Sequence, residues 1–347
     1  MNQSMDYNTQ NFNPQPEKPT YVTYIPYGFT PETFEERKNV RKTANTIGAA
    51  LLILLAISEL AVYVLRSILT ILNLWNTKTI AFLSDPGFTQ VFNAVFSVIM
   101  FTIPFIIVFK VQNIRISGLI KFKKPKLNDI IPYGLLGVGL CSVANLTVSY
   151  MGSVFSNFGI DYKVDYGDKP EGLFGFMLTA IAIAIVPPLV EEFACRGLIL
   201  GSLRKYSDSF AVLTSAIIFG ILHGNFQQMP FAFLVGLILG YATIKTKSIW
   251  TAVAIHAFNN AVSVIFDYAF IGQPTVAKNV CFVIYLIISI LIGFVGIYLL
   301  KDRKNAFTLK NKKTAASKGQ IYKWFFTSPT IVIFIVVCVL KSLQFFV

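Results

Sequence analysis

Charged residues are scarce in this chain of 347 residues. They make up 14% of the composition, while hydrophobic residues make up 54%, and soluble domains usually carry about 25% charged residues. The apolar residues fall in blocks of roughly 20, which is the length that a bilayer core demands, rather than at the spacing of amphipathic elements. These features exclude a single water-soluble globule and predict an all-α polytopic membrane protein.

Cysteine and histidine are also rare, with four and two residues respectively. There is no CxxC pair and no paired cysteine framework, which argues against a redox motif, a cysteine-based zinc site and a disulfide scaffold. The cysteines are widely spaced in apolar stretches and are therefore predicted to be small buried apolar side chains. They are Cys141, Cys195, Cys281 and Cys338.

The net charge of +13 comes from basic residues in short loops between apolar blocks. No basic stripe interleaved with aromatic residues is present, so we expect membrane lipids and no nucleic acid as partners. Most Lys and Arg residues fall on one side of the predicted membrane, and the opposite loops include Asp161, Asp165, Asp168 and Glu171. This asymmetry predicts a cytoplasmic N-terminus and an external C-terminus.

The chain is predicted to have five segments. Residues 1–29 form a disordered cytoplasmic tail, 30–45 an interfacial helix capped by Thr30, 46–300 the transmembrane domain, 301–325 a basic cytoplasmic linker and 326–346 a C-terminal span. The nine predicted spans cover 46–72, 88–109, 129–152, 172–195, 209–226, 229–244, 249–270, 278–300 and 326–346. Two charged residues of the first span, Glu59 and Arg66, are two turns apart and could pair. They are interpreted as structural, and the alternative is that they line a polar path.

Both histidines and a pair of glutamates lie within predicted spans. Ionisable groups cost several kcal/mol in a bilayer, so each is a functional candidate. Glu192 and Arg196 are four residues apart and can pair on one helix face, whereas Glu191 points about 100° away from Glu192. Pro187 and Pro188 precede this group and loosen the backbone hydrogen bonding there.

The two histidines each have a polar or aromatic neighbour one helical turn away. Phe219 precedes His223, and Asn260 follows His256. With 1.5 Å per residue, Glu191, His223 and Asn260 lie roughly 20 Å from the nearest basic turn, and His256 about 13 Å. The groups can therefore meet inside the membrane. Asn145 and Asn225 are predicted to make interhelical hydrogen bonds or to lie at the surface.

Such a set of side chains suits hydrolysis of a peptide bond without a Ser or Cys nucleophile. A carboxylate beside a neutral imidazole can activate water, and a second imidazole with an amide donor can stabilise an oxyanion. Two histidines and a glutamate are also a known zinc ligand set, here Glu191, His223 and His256. Because HExxH is absent, the sequence leaves the metal-free and metal-dependent mechanisms both open.

These residues resemble the CAAX protease and bacteriocin-processing (CPBP, or Abi) family of intramembrane proteases, which includes the type II CAAX prenyl protease. The family motifs EExxxR, FxxxH and HxxxN match Glu191 to Arg196, Phe219 to His223 and His256 to Asn260, in order. The resemblance covers about residues 130–300. It implies a core of about eight helices around a cavity, to which the sequence adds a ninth C-terminal span.

The resemblance also implies roles for these residues. Glu191 with His223 would activate the water and His256 with Asn260 would form the oxyanion site, while Glu192, Arg196 and Phe219 would support them. A glutamate-dependent enzyme without a metal cofactor is favoured over one that uses zinc. A bacterial cell-membrane protein acting on a peptide or a lipidated protein is expected. The alternative is a non-catalytic membrane protein of bacteriocin self-immunity.

Overall fold

The computed structural model describes residues 24–157 and 168–343. Seven of its helices are long and apolar enough to cross a membrane, and an eighth span results if a bent C-terminal pair is counted as one. The predicted all-α polytopic membrane fold is confirmed. Residues 1–23 of the predicted tail, Asp161, Asp165 and the end of the span 326–346 lie outside the described residues.

Twelve helices are numbered here in chain order over the described ranges. They are α1 (Pro31–Ile71), α2 (Thr77–Leu83), α3 (Pro86–Val111), α4 (Ile116–Leu119), α5 (Leu127–Asn157), α6 (Gly172–Leu203), α7 (Asp208–Leu222), α8 (Gln228–Thr246), α9 (Ile249–Ala269), α10 (Thr275–Leu300), α11 (Lys318–Phe326) and α12 (Pro329–Leu343).

Helix α1 begins where the sequence predicts. The Thr30 side chain accepts a hydrogen bond from the Thr33 backbone N–H, and the Thr33 hydroxyl oxygen accepts one from the Thr30 N–H, which makes a capping box. The helix then runs without a break through the predicted interfacial segment 30–45 and the first predicted span. Its length of about 60 Å exceeds the thickness of a hydrocarbon core of about 30 Å, so part of it lies outside the core.

One predicted span is shorter in the structure than in the sequence analysis, and another is bent. Helix α7 ends at Leu222, not at residue 226, and a turn with Gly224 at φ +65 follows it. The C-terminal span 326–346 corresponds to α11 and α12, which are bent by 66° at a short break. At about 22 Å, α12 is shorter than a hydrocarbon core.

Helix α6 lies at the centre of the bundle and contacts α3, α7, α8 and α9. On one side the buried apolar residues of α1, α3, α6, α7, α11 and α12 form the main core. On the other side α5, α8 and α9 share a smaller core. Helices α5 and α10 touch through backbone, since a Cβ on Gly139 would lie 2.6 Å from the Gly293 Cα. The predicted site residues of α6, α7 and α9 are therefore held between packed layers.

Two predictions about individual side chains are wrong. Glu59 pairs with Lys341 rather than with Arg66, because α12 packs against α1 and brings Lys341 beside it. The Arg66 guanidinium instead lies over the Trp75 ring, 5.3 Å from its centre. Cys281 is exposed on α10, because that helix turns much of its surface away from the bundle; the other three cysteines are buried as predicted.

Candidate active site

The helix that carries the glutamate pair is irregular, and its two prolines account for the irregular segment that precedes them. Helix α6 contains two π-helical segments, Ala180–Ile185 and Phe193–Ile199. Pro187 cannot donate to the Ile183 carbonyl, its α-helical acceptor, and Pro188 cannot donate to the same carbonyl in the π-helical pattern. The carbonyl of Ile183 therefore loses both of its possible donors within the helix.

Asn260 of α9 satisfies this carbonyl. Its Nδ2 donates to the Ile183 oxygen over 3.0 Å. A backbone carbonyl left unpaired in a membrane protein is costly, so this bond ties α9 to the distorted part of α6. One of the two amide hydrogens of Asn260 is thus used for the fold, and the second remains available. The sequence shows the two prolines but not the partner that they require.

Glu192, Arg196 and His256 form a buried chain of charged and polar groups. The predicted pair of Glu192 and Arg196 is confirmed, with 2.8 Å between Oε1 and Nη1 and both side chains fully buried. Glu192 Oε1 also accepts from His256 Nδ1 over 3.0 Å. A second nitrogen of Arg196 donates to the Gly236 carbonyl over 3.2 Å. The carboxylate of Glu192 therefore fixes the ring orientation and tautomer of His256.

Glu191 lies on the opposite side of the same imidazole. Its Oε2 is 4.0 Å from His256 Nε2 and is buried without a hydrogen-bond partner. Glu191 lines a cavity, as do both histidines and Asn260, whereas Glu192 does not. The predicted angular separation of the two glutamates thus places one in the cavity and the other behind His256. The two ring nitrogens of His256 span the gap between them.

Phe219 holds both imidazoles in place. Its ring packs edge-to-face against His223, with 4.8 Å between ring centroids, and against His256, with 5.9 Å. The Arg196 guanidinium lies 4.3 Å from the centre of the Phe219 ring. His223 Nδ1 is 2.7 Å from the Phe219 carbonyl oxygen. Because a carbonyl only accepts, Nδ1 carries the proton in neutral His223 and Nε2 is left as an acceptor.

The cavity has a volume of about 620 Å³, within the usual range for ligand sites. Its walls combine aromatic rings with amide and charged side chains. Asp267 pairs there with Lys169 and with Lys278. Along α9, Asp267 lies about 16 Å from His256 and near the helix end opposite the basic loops. The cavity therefore extends from the glutamate and histidine cluster towards that membrane face.

Three further amide side chains lie in or near the site, and the sequence predicts them only in part. The Asn145 amide donates to Asn259 Oδ1 over 3.4 Å, so its predicted interhelical bond is confirmed. Asn259 was missed, although it precedes the motif residue Asn260 directly. Asn225 bonds within its own turn, with its amide donating to the His223 carbonyl. Asn145 and Asn259 add amide groups to the lining of the cavity. Asn225 makes hydrogen bonds within the turn that follows α7.

The site offers no ready-made metal centre among residues 24–157 and 168–343, which contain no group of three His, Cys, Asp or Glu side chains placed to hold one ion. Glu191, His223 and His256, the predicted zinc ligands, share the cavity, but they do not form such a group.

Comparison with known proteins gives a consistent result. A family model for Rce1-like type II CAAX prenyl endopeptidases matches residues 173–262, which include all seven predicted site residues. The membrane-embedded CAAX protease MroQ of Staphylococcus aureus is 29% identical over 164 residues, 43% of this chain and 62% of that protein. These findings support the CAAX protease (CPBP) family.

A second relative is also named as a membrane peptidase. The putative membrane peptidase YdiL of Bacillus subtilis is 34% identical over 89 residues, 25% of this chain and 36% of that protein. The matched segments thus span less than two thirds of the length of either relative. No solved structure matches the chain significantly. The family likeness and the apolar helices together support an integral membrane protein.

Proposed function

We propose that this protein is an intramembrane endopeptidase that hydrolyses a peptide bond with a glutamate-activated water. The observation that carries the proposal is the buried, unpartnered Glu191 Oε2 beside a polar cavity. A carboxylate oxygen in such a place needs a hydrogen-bond donor, and a water molecule supplies one. The likeness to membrane peptidases supports the same reaction class.

In this mechanism Glu191 is the general base. It takes a proton from the water as the water oxygen attacks the carbonyl carbon of the substrate. His223 Nε2 accepts the other hydrogen of the water and aligns it, because Nδ1 is held by the Phe219 carbonyl. We therefore assign proton transfer to Glu191 and orientation of the water to His223.

His256 and Asn260 stabilise the oxyanion that forms on the attacked carbonyl. Nδ1–H of His256 is donated to Glu192, so Nε2 can donate to the oxyanion only in the imidazolium form. Asn260 contributes the amide hydrogen that the Ile183 carbonyl leaves free. When the tetrahedral intermediate collapses, Glu191 returns its proton to the departing amine. The C–N bond breaks, and the carboxylate of the enzyme is regenerated.

The cavity favours a peptide or a lipidated, membrane-associated protein as substrate. Besides Phe219, four aromatic residues line it together with the amide groups: Phe231, Phe266, Phe282 and Tyr285. Aromatic and apolar walls suit apolar side chains or an acyl group, while a few polar groups fix the orientation of the backbone. We place the protein in a bacterial cell membrane with its N-terminus in the cytoplasm, in agreement with the positions of the basic loops.

Quantitative peptidomics of the native host tests this function. Cells express the wild type, Glu191→Gln or the control Glu171→Gln at matched levels; Glu171 is exposed at the start of the same helix. New peptide termini should be found with the wild type and the control, and should be lost with Glu191→Gln. Identical peptidomes in all three strains would contradict proteolysis and leave a non-catalytic immunity role.

Metal dependence is tested separately on the purified protein. We expect cleavage of a substrate identified by peptidomics to survive dialysis against a strong chelator, because the proposed base and oxyanion donors are all side chains. Loss of activity on chelation, with recovery on adding Zn²⁺ but not Mg²⁺, would contradict the metal-free mechanism.

A further inference from the structure

A second, smaller pocket lies near the basic face of the protein, away from the candidate active site. Its volume is about 160 Å³, and it is enclosed by α1, the end of α3, α4 and the end of α6. Drug-sized ligands occupy pockets of about 300–1,000 Å³, so this one suits only a small group. Its polar lining residues are Thr43, Thr46, Ser202 and Lys205.

Ser202 is the polar group in this pocket that lacks a partner. It is 8% exposed, and its hydroxyl is buried with no hydrogen bond. The hydroxyls of Thr43 and Thr46, by contrast, donate to the carbonyls of Asn39 and Lys42 over 2.9 Å. A buried hydroxyl usually finds a partner. Ser202 therefore has an unused donor and acceptor at the wall of an open pocket.

The charge around the pocket is positive and unbalanced. Lys205 makes no ion pair with any residue that the structure describes. Partial desolvation and, to a smaller extent, the charge of Lys42 lower the pKa of Lys205. The nearest arginine in the chain, Arg204, is already paired with Asp208. No carboxylate is among the described residues that line the pocket, so an anion there would meet the positive charge of Lys205 directly.

We propose that this pocket binds a phosphate group, with Ser202 Oγ and Lys205 Nζ as donors and Lys42 as a second positive charge. A phosphate accepts several hydrogen bonds and carries the charge that the lysines lack. Basic pockets between membrane helices bind anionic headgroups, and the apolar residues Ile47, Phe109 and Leu119 of the same wall suit the adjoining part of a lipid. The phosphate comes either from a phospholipid headgroup or from solution.

The thermal unfolding temperature of the full-length protein in neutral detergent measures this binding. It is followed during titration with phosphatidylglycerol, with diacylglycerol, which lacks the phosphate, and with inorganic phosphate at constant ionic strength. The variants are Lys205→Gln and Ser202→Ala, with Lys304→Gln as the matched control. Lys304 is an exposed lysine of the basic loops that does not line the pocket.

We expect phosphatidylglycerol, but not diacylglycerol, to raise the unfolding temperature of the wild type. Each pocket variant should weaken the apparent affinity about tenfold or more, because a hydrogen bond to a charged group is lost. The control should bind as the wild type does. An equal effect of inorganic phosphate would assign the site to free phosphate and not to a lipid.

Two results would overturn the proposal. One is the absence of stabilisation by either source of phosphate. The other is an equal loss of affinity in Lys304→Gln and Lys205→Gln, which would indicate general attraction by the basic surface. Ser202→Ala keeps the net charge and removes only an unpartnered buried hydroxyl, so it remains informative even if Lys205→Gln folds poorly.

Discussion

The buried pair of Glu192 and Arg196 allows a double-variant cycle in which the structure predicts the sign of the coupling energy. Arg196→Met leaves the Glu192 carboxylate buried without its cation, and Glu192→Gln leaves the guanidinium buried without its anion. Both side chains are fully buried and 2.8 Å apart. Either single change should destabilise the protein by about 3–5 kcal/mol, the usual cost of an uncompensated buried charge.

The double variant should recover much of this loss. It removes both charges, and replacing a buried ion pair by uncharged residues is often close to neutral. The sum of the two single effects would be roughly 6–10 kcal/mol, so a double variant that is no worse than either single one implies a large coupling energy. Loss of the bond from Arg196 to the Gly236 carbonyl prevents full recovery.

Reversible unfolding in mixed detergent micelles provides the four free energies. Glu171→Gln is again a suitable control, because it removes an exposed carboxylate from the same helix. Additive effects, with the double variant destabilised by the sum of the single ones, would refute the coupling through one buried pair. Retention of wild-type stability by Arg196→Met alone would refute the assigned burial of the pair.

Two further predictions concern the backbone. Asn260→Ala should destabilise the protein by about 1–3 kcal/mol, because it leaves the Ile183 carbonyl unpaired. Adding Pro187→Ala to this variant should recover part of the loss, since it restores an N–H donor. Unfolding measurements on the single and the double variant check this, and equal stability of the single and the double variant would contradict it. Gly139→Ala should cost about 1–3 kcal/mol by overpacking against α10, whereas Gly134→Ala, with open space around its Cβ, should be neutral or slightly stabilising. Equal effects of the two alanines in a thermal unfolding assay would refute the close helix contact.

The contacts that the sequence predicts are those between near neighbours on one helix. Spacing alone identifies the pair of Glu192 and Arg196, and the Thr30 cap follows from local chemistry. The same reasoning failed for Glu59, whose partner Lys341 comes from a helix 282 residues further along. Local spacing contains no information on which distant helix packs against α1.

The candidate site shows the same limit. The sequence predicts that Glu191 and His256 share a cavity, but not that His256 lies between both glutamates. Pro187 and Pro188 indicate a loosened helix, yet only the packing of α9 shows which side chain satisfies the freed carbonyl. Span ends were also misjudged where a turn begins inside an apolar run, as after Leu222.

The hydrogen bond from Asn260 to Ile183 has a consequence for how such chains diverge. A descendant would lose Glu191 at little cost in stability, because that side chain has an unpartnered buried oxygen. Asn260 could not be lost as freely while Pro187 remains, since the Ile183 carbonyl would be left without a donor. Descendants without Glu191 should therefore keep an amide at position 260 for as long as Pro187 is present, and they should lose Asn260 and Pro187 together.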